Sequence, residues 1–248
     1  MIHNVEKEVE SICNWIKNYV EKSHADGVVV GNSGGKDCAT VIALATKALG
    51  KNKVLTVALP CGSKNSDFED AKLVSDHFKV PILKIDLSNT YNTFETTLEG
   101  VIEPKEEWRL REAKLNSKPR LRMTTLYYLA QNINYLVIGT GNKCEATVGY
   151  TTKWGDNASD FNPIGEFTVE EVLQIAGYLG VPDKIIHKAP SDGLGSQTDE
   201  EKLGVTYKQI AEYIETGTTD AEALAIIQKK EKAAEHKRKP IPIYHRLA

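Results

Sequence analysis

Between Val28 and Thr40 the chain reads VVVGNSGGKDCAT, and the residue types at its centre suit an anion-binding turn. Gly34 and Gly35 can take backbone angles that a Cβ forbids, and they let a ligand come close to the main chain. Ser33 adds a hydroxyl and Lys36 a positive charge. A helix starting near Asp37 would aim its unpaired N–H groups and positive end at the same point. Gly31, Asn32, Ser33, Gly34, Gly35, Lys36, Asp37 and Cys38 thus outline a cradle for an anion, best matched by phosphate. A plain glycine turn with a serine cap would use the same residues; the strand before and the helix after favour the cradle. The spacing is not that of a Walker loop, G-x-x-x-x-G-K-[ST].

Asp37 is the odd member, because a carboxylate repels a neighbouring phosphate. A divalent cation between them would turn that repulsion into coordination, and Mg²⁺ favours carboxylate plus phosphate oxygens. An acidic residue in a helix's first turn is also favourable by about 0.3–1 kcal/mol without any metal. The residues alone leave both readings open.

The surrounding elements must hold this loop at an edge. Val5, Val9, Ile12, Ile16 and Tyr19 recur every three or four residues, the spacing of a one-sided helix. Val28–Val30 reads as a strand buried on both faces, Ala39–Leu49 as a helix stopped by Gly50, and Val54–Leu59 as a second strand. Ser66 and Glu69 suggest a capping box opening a helix to about Phe78, followed by a strand over Ile82–Ile85. Tyr91–Arg111 is mostly helical in character, as is Leu121–Gln131, and Tyr135–Ile138 reads as a fourth strand ending at Gly139. Thr168 and Glu171 cap a helix to Leu179; residues 188–200 read as a loop; Gly204–Ile214 and Thr219–Lys232 read as closing helices. Strands alternating with helices imply right-handed crossovers and a parallel sheet with helices on both faces, an α/β fold of Rossmann-like type. One domain spanning residues 1–248, with helical C-terminal additions, is the economical organisation.

Composition bounds the function. A net charge of −3 gives no global attraction to nucleic acid or anionic membrane, and the expected partners are small molecules. No apolar run reaches the roughly 20 residues of a bilayer span, and Met1–Val20 is amphipathic and acidic, unlike a targeting peptide. A cytoplasmic protein is expected. Cys13, Cys38, Cys61 and Cys144 lack metal-ligand spacing and are expected as thiols.

The segment Ser33-Gly34-Gly35-Lys36-Asp37-Cys38 resembles the pyrophosphate loop of N-type ATP pyrophosphatases, Ser-Gly-Gly-x-Asp-Ser, with cysteine for the last serine. Five further segments, in order, resemble ammonia-dependent NAD synthetase within that group: KPRLRMTTLYYLA from Lys118, VIGTGNKCEATVGYTTKWGDNASDFNPIG from Val137, KAPSDGL from Lys188, TDEEKLGVTYKQI from Thr198 and EHKRKPIP from Glu235. The resemblance implies an adenine nucleotide alpha-hydrolase-like fold and ATP-dependent amidation of deamido-NAD by ammonia. ATP adenylates the nicotinate carboxylate, pyrophosphate leaves, and ammonia then displaces AMP. It implies a homodimer, and ATP with Mg²⁺ as reaction partners.

Residue by residue, the resemblance implies that Ser33, Gly34 and Gly35 hold pyrophosphate, that Asp37 and Glu145 bind Mg²⁺, and that Thr140 and Ser191 contact ATP. Arg120, Lys153, Asp160, His236 and Lys237 match positions that bind deamido-NAD; Asp37, Lys153 and Asp156 are expected to take part in catalysis, Asp156 by placing or deprotonating ammonium. Pro119 stands where the family has alanine and is expected to start a helix; Val169 stands where the family often has an ATP-contacting lysine. Two alternatives remain open: a related pyrophosphatase activating another carboxylate, and a nucleotide-binding module without turnover. The first strand begins too early for a preceding glutaminase domain, so free ammonia is the expected nitrogen source, with a separate glutaminase subunit as the alternative.

Overall fold

The computed structural model describes residues 1–62, 65–188 and 198–246. Helix α1 (Val5–Lys22) opens the chain, its first turn capped by the Asn4 carboxamide, which accepts from the Lys7 N–H at 3.0 Å. Four parallel strands follow in space as β3-β2-β1-β4: β1 (Gly27–Gly31), β2 (Val54–Ala58), β3 (Ile82–Lys84) and β4 (Tyr135–Val137). Val28 lies opposite Val54 on one side and Leu136 on the other, and Val57 opposite Leu83.

The period of two divides β1 between two layers. Val28 and Val30 pack with α1, with α2 (Lys36–Leu49) and with α7 (Val169–Tyr178); Val29 packs with residues of α4 (Ser88–Leu98) and α5 (Glu107–Asn132). The apolar run in β1 therefore reflects burial on both faces, which is the α/β architecture expected. Helix α3 (Asn65–Phe78) connects β2 to β3. A third apolar cluster joins α6 (Lys143–Val148) and the start of α7 to α9 (Asp199–Leu203), α10 (Tyr207–Thr216) and α11 (Ala221–Arg238). The short α8 (Asp183–Ile186) lies between α7 and α9 in the chain.

Several boundaries differ from expectation. Pro119 does not start a helix: α5 runs unbroken through it, joining two segments expected to be separate. A proline inside a helix forfeits one hydrogen bond and costs about 3 kcal/mol. Its ring is buried, and a Cβ on Gly155 would lie 3.2 Å from Pro119 Cβ, so it forms the seat for the loop beside it. The break falls instead after α4, where Gly100 has φ +72° and Pro104 follows. Helix α3 starts at Asn65, which places Ser66 inside its first turn and not at the cap. Thr198 caps α9 within the region expected as loop, Thr206 caps α10, and α11 extends to Arg238 because good helix formers continue until Pro240. Ser191 lies outside the described residues.

Gly149 ends α6 in the left-handed region at φ +66°, and a Cβ there would stand 2.1 Å from Ala234 Cβ of α11. Both demands act against any side chain. Gly149→Ala is expected to cost at least about 2 kcal/mol in urea unfolding, through backbone strain and separation of α6 from α11. An unchanged midpoint would mean that α11 shifts freely.

Candidate functional site

The carboxyl ends of β1 and β4 adjoin at the point where strand order reverses, the position at which open parallel sheets bind ligands. Two loops meet there, residues 31–36 after β1 and 138–142 after β4.

Loop 31–36 is shaped by its own side chains. Asn32 is buried; its Nδ2 donates to the Ala71 carbonyl at 2.9 Å and the Ser75 hydroxyl at 3.1 Å, while its Oδ1 accepts from the Gly34 N–H at 3.0 Å. Asn32 thus folds the loop against α3. Gly34 has φ +73°, and a Cβ there would lie 2.6 Å from Asp70 Cβ and 2.7 Å from the Ala71 nitrogen, so only glycine fits. Ser33 Oγ accepts from the Gly35 N–H at 3.2 Å and lies 3.3 Å from Cys38 Sγ. Gly35 is the N-cap of α2 and supplies no side-chain acceptor, so no side chain caps the first-turn N–H groups of α2, the arrangement that helix N-termini offer to anions. Cys38 is buried, and desolvation pushes its thiol up despite hydrogen bonds to Ser33 and Thr140. Thr140 therefore reaches the first turn of α2 from the second loop.

The acidic pair is joined through one residue. Asn142 is fully buried; its Nδ2 donates to Asp37 Oδ1 at 3.3 Å, and its backbone N–H donates to Glu145 Oε2 at 3.0 Å. The same Asn142 side chain caps α6 by accepting from the Glu145 N–H at 3.0 Å. Burial and the Asp37 charge push the Glu145 carboxyl up from the ordinary 4.5 to about 8. Lys36 Nζ stands 3.1 Å from Asp37 Oδ2 and 5.6 Å from the centre of the Tyr207 ring. Burial would lower the Lys36 pKa, but Asp37, Glu145 and Asp199 outweigh it and raise it. Tyr207 and Tyr150 both donate to Asp199, at 3.5 and 3.0 Å.

A second group lies along α5 and the loop before Asp160. Arg120 donates from Nε and Nη2 to the Lys153 carbonyl, each at 3.3 Å, and Lys153 Nζ lies 3.5 Å from His236 Nδ1. Arg120, Lys153 and His236 are thereby brought together from three distant segments. Asp156 Oδ1 accepts from the Thr152 N–H at 2.7 Å, and desolvation raises its carboxyl above the ordinary value. Lys237 Nζ donates to the Gly149 and Thr151 carbonyls at 2.7 and 2.6 Å; burial lowers its pKa, opposed by Asp156 and Glu112. Asp160 accepts from the Val137 N–H at 2.7 Å and from Tyr127 Oη at 3.3 Å, which ties it to the edge of β4. Lys237 and Asp160 thus carry structural bonds beside the cluster. Val169 is buried in the C-terminal apolar cluster, where an ammonium would be poorly solvated.

Three contributors escaped sequence reasoning. Asn142 bridges both acids, although N-x-x-E was visible as a local capping box. Asp70 supports Gly34 and pairs with Lys184 at 2.7 Å and Lys188 at 2.8 Å; burial would raise its carboxyl, but the two ammonium groups hold it below the ordinary value. Tyr207 covers Lys36, and no sequence signal separates it from a core tyrosine.

These features define a parallel α/β protein with a glycine-turned loop at its switch point and a carboxylate pair beside it. The NAD synthase family profile matches residues 8–244, and the chain belongs to that family. It is 43% identical to the NH₃-dependent NAD⁺ synthetase of Carboxydothermus hydrogenoformans over 95% of this chain and 96% of that one. The structure of NMN synthetase from Francisella tularensis superimposes with a TM-score of 0.90 at 32% identity, covering 98% of this chain and 99% of that one. The NH₃-dependent NAD synthetase from Campylobacter jejuni gives 0.79 at 28% identity, covering 98% and 100%.

Proposed function

We propose that the chain uses ATP to amidate the nicotinate carboxylate of deamido-NAD with ammonia, releasing AMP and pyrophosphate. The near full-length match to NH₃-dependent NAD synthetases carries this reading. A carboxylate resists attack because oxide is a poor leaving group. Transfer of AMP to one carboxylate oxygen expels pyrophosphate and leaves an acyl-adenylate. Ammonia attacks its carbonyl carbon, AMP departs, and one proton is lost from the nitrogen.

The chain's residues suit these steps. Ser33, Gly34, Gly35 and the open start of α2 receive the departing pyrophosphate, with Asn32 fixing the loop. Thr140 and Cys38 border the rest of ATP; the contact expected of Ser191 lies outside the described residues. Arg120, Lys153 and His236 supply cations for the dinucleotide, while Lys237, held by the Gly149 and Thr151 carbonyls, and Asp160 fix the adjoining edge. Asp156, with its raised proton affinity, accepts the proton of an ammonium ion.

Asp37 and Glu145 fit a Mg²⁺ ion. Burial, and after it the Asp37 charge, push the Glu145 carboxyl up in the absence of a cation, and Mg²⁺ is satisfied by two carboxylates when phosphate and water complete its shell. Bound there, Mg²⁺ would neutralise charge developing on the leaving group.

The whole chain acts as one catalytic unit, in the cytoplasm, on free ammonia. A homodimer would cover the apolar side chains exposed along α5 and before it, among them Trp108, Leu110, Tyr128, Val101 and Ile102. No described helix is long and apolar enough to cross a membrane.

A second acceptor is favoured by one observation. Lys237 and Arg238 are both engaged with carbonyls of the α6 region, which leaves fewer cations for the second phosphate of a dinucleotide. Nicotinate mononucleotide is the shorter acceptor, in keeping with the NMN synthetase likeness. Incubating the protein with ATP, Mg²⁺ and ammonium plus either acceptor decides between them. Equal amounts of AMP, pyrophosphate and NAD are expected with deamido-NAD. Pyrophosphate without NAD would point to another carboxylate; tight ATP binding without pyrophosphate would point to a binding module.

A further inference from the structure

Lys36, expected from the sequence to lend its charge to a phosphate cradle, has its ammonium against Asp37 instead. Its side chain is only 10% exposed, although lysine ordinarily extends into water. It turns back against Asp37, lies over Tyr207, and feels Glu145 and Asp199 as well. Both oxygens of Asp37 are consequently occupied: Oδ1 by Asn142 Nδ2 and Oδ2 by Lys36 Nζ. An incoming cation must displace the ammonium or share Asp37 Oδ2 with it.

We propose that Lys36 is a resident cation that competes with divalent metal for Asp37, so that the free protein binds metal poorly and accepts it together with nucleotide. The inference rests on the reading that Asp37 and Glu145 are the metal-holding pair. The ammonium satisfies the acids while the site is free. Arriving phosphates bring negative charge that gives Lys36 a new partner, and Asp199 and Tyr207 are already beside it. Asp37 Oδ2 is then released to the metal that accompanies those phosphates. Lys36 is on this account a positioning residue that couples metal affinity to nucleotide occupancy.

The test is Mn²⁺ binding to the nucleotide-free protein, followed by the electron paramagnetic resonance signal of free Mn²⁺. Lys36→Met keeps most of the apolar stem of the side chain and removes the ammonium with its charge and donors. It is expected to bind Mn²⁺ at least about tenfold more tightly than the parent, since a unit charge a few ångströms from the metal is removed. Lys36→Arg is expected to bind as weakly as the parent, and adding Asp37→Asn to Lys36→Met should abolish the gain. If circular dichroism finds Lys36→Met unfolded, Lys36→Gln takes its place in the titration. Equal affinities in the parent and the neutral variant, or no binding in either, would overturn the proposal. Failure of the parent to form NAD would overturn the functional reading instead, because the titration uses neither substrate nor turnover.

Discussion

Asp37→Asn is expected to fold, to retain ATP binding, and to release pyrophosphate at least about 10²–10³-fold more slowly than the parent at saturating Mg²⁺. The substitution is nearly isosteric and leaves an acceptor oxygen for Asn142, whose other bonds fix the start of α6. The loop itself is held by Asn32 and by Gly34 against α3, neither of which involves Asp37. The change therefore strikes charge and not shape. Lys36 loses its nearest partner but keeps Glu145 and Asp199 around it. With one carboxylate removed, Glu145 alone faces any metal, and the stabilisation of leaving pyrophosphate falls away. Thermal unfolding within a degree or two of the parent, with single-turnover pyrophosphate release nearly lost, is the expected pair of results. Unchanged turnover would remove Asp37 from the chemistry.

The loop after β1 was legible because its signal is local. An apolar run, two glycines and a helix start lie within a dozen residues, and their physics does not depend on the rest of the chain. The alternation of strand and helix was legible for the same reason, since burial on both faces of β1 writes a continuous run of valines. What lay hidden depends on distance along the chain. Asn142 meets Asp37 across 105 positions, and a capping asparagine looks the same whether or not it also reaches a carboxylate. Pro119 suggested a helix start because the sequence does not reveal that Gly155 leaves room for the ring. His236 and Lys237 lie within α11 because the helix continues past its expected end, and only the fold brings Lys237 back to Gly149. The sequence offers Asp37 and Glu145 one at a time. That they share a single buried asparagine, and that the pairing costs stability, is a property of the assembled site.

That cost leads to the second large effect, for Glu145→Gln. The Glu145 carboxyl is raised from 4.5 to about 8 in the folded chain by burial and by Asp37. A carboxyl that holds its proton more tightly when folded loses stability for the fold as pH rises through the interval between the two values. The penalty is absent below about 4.5 and fully present above about 8. Glutamine is neutral throughout, and as residue N3 of the capping box its carbonyl still accepts from the Asn142 N–H, so the cap survives. Glu145→Gln is therefore expected to exceed the parent only slightly near pH 5 and by on the order of 2 kcal/mol near pH 8, a few degrees in Tm for a chain of this size. The same variant should lose Mg²⁺-dependent turnover, because the group that strains the free protein is one of the pair that would hold the metal. Unfolding curves at the two pH values, with pyrophosphate release measured alongside, check both halves. A stability difference that does not change between pH 5 and 8 would mean that Glu145 is solvated in the folded chain and that the two acids do not feel each other, which would also weaken the case for a shared metal.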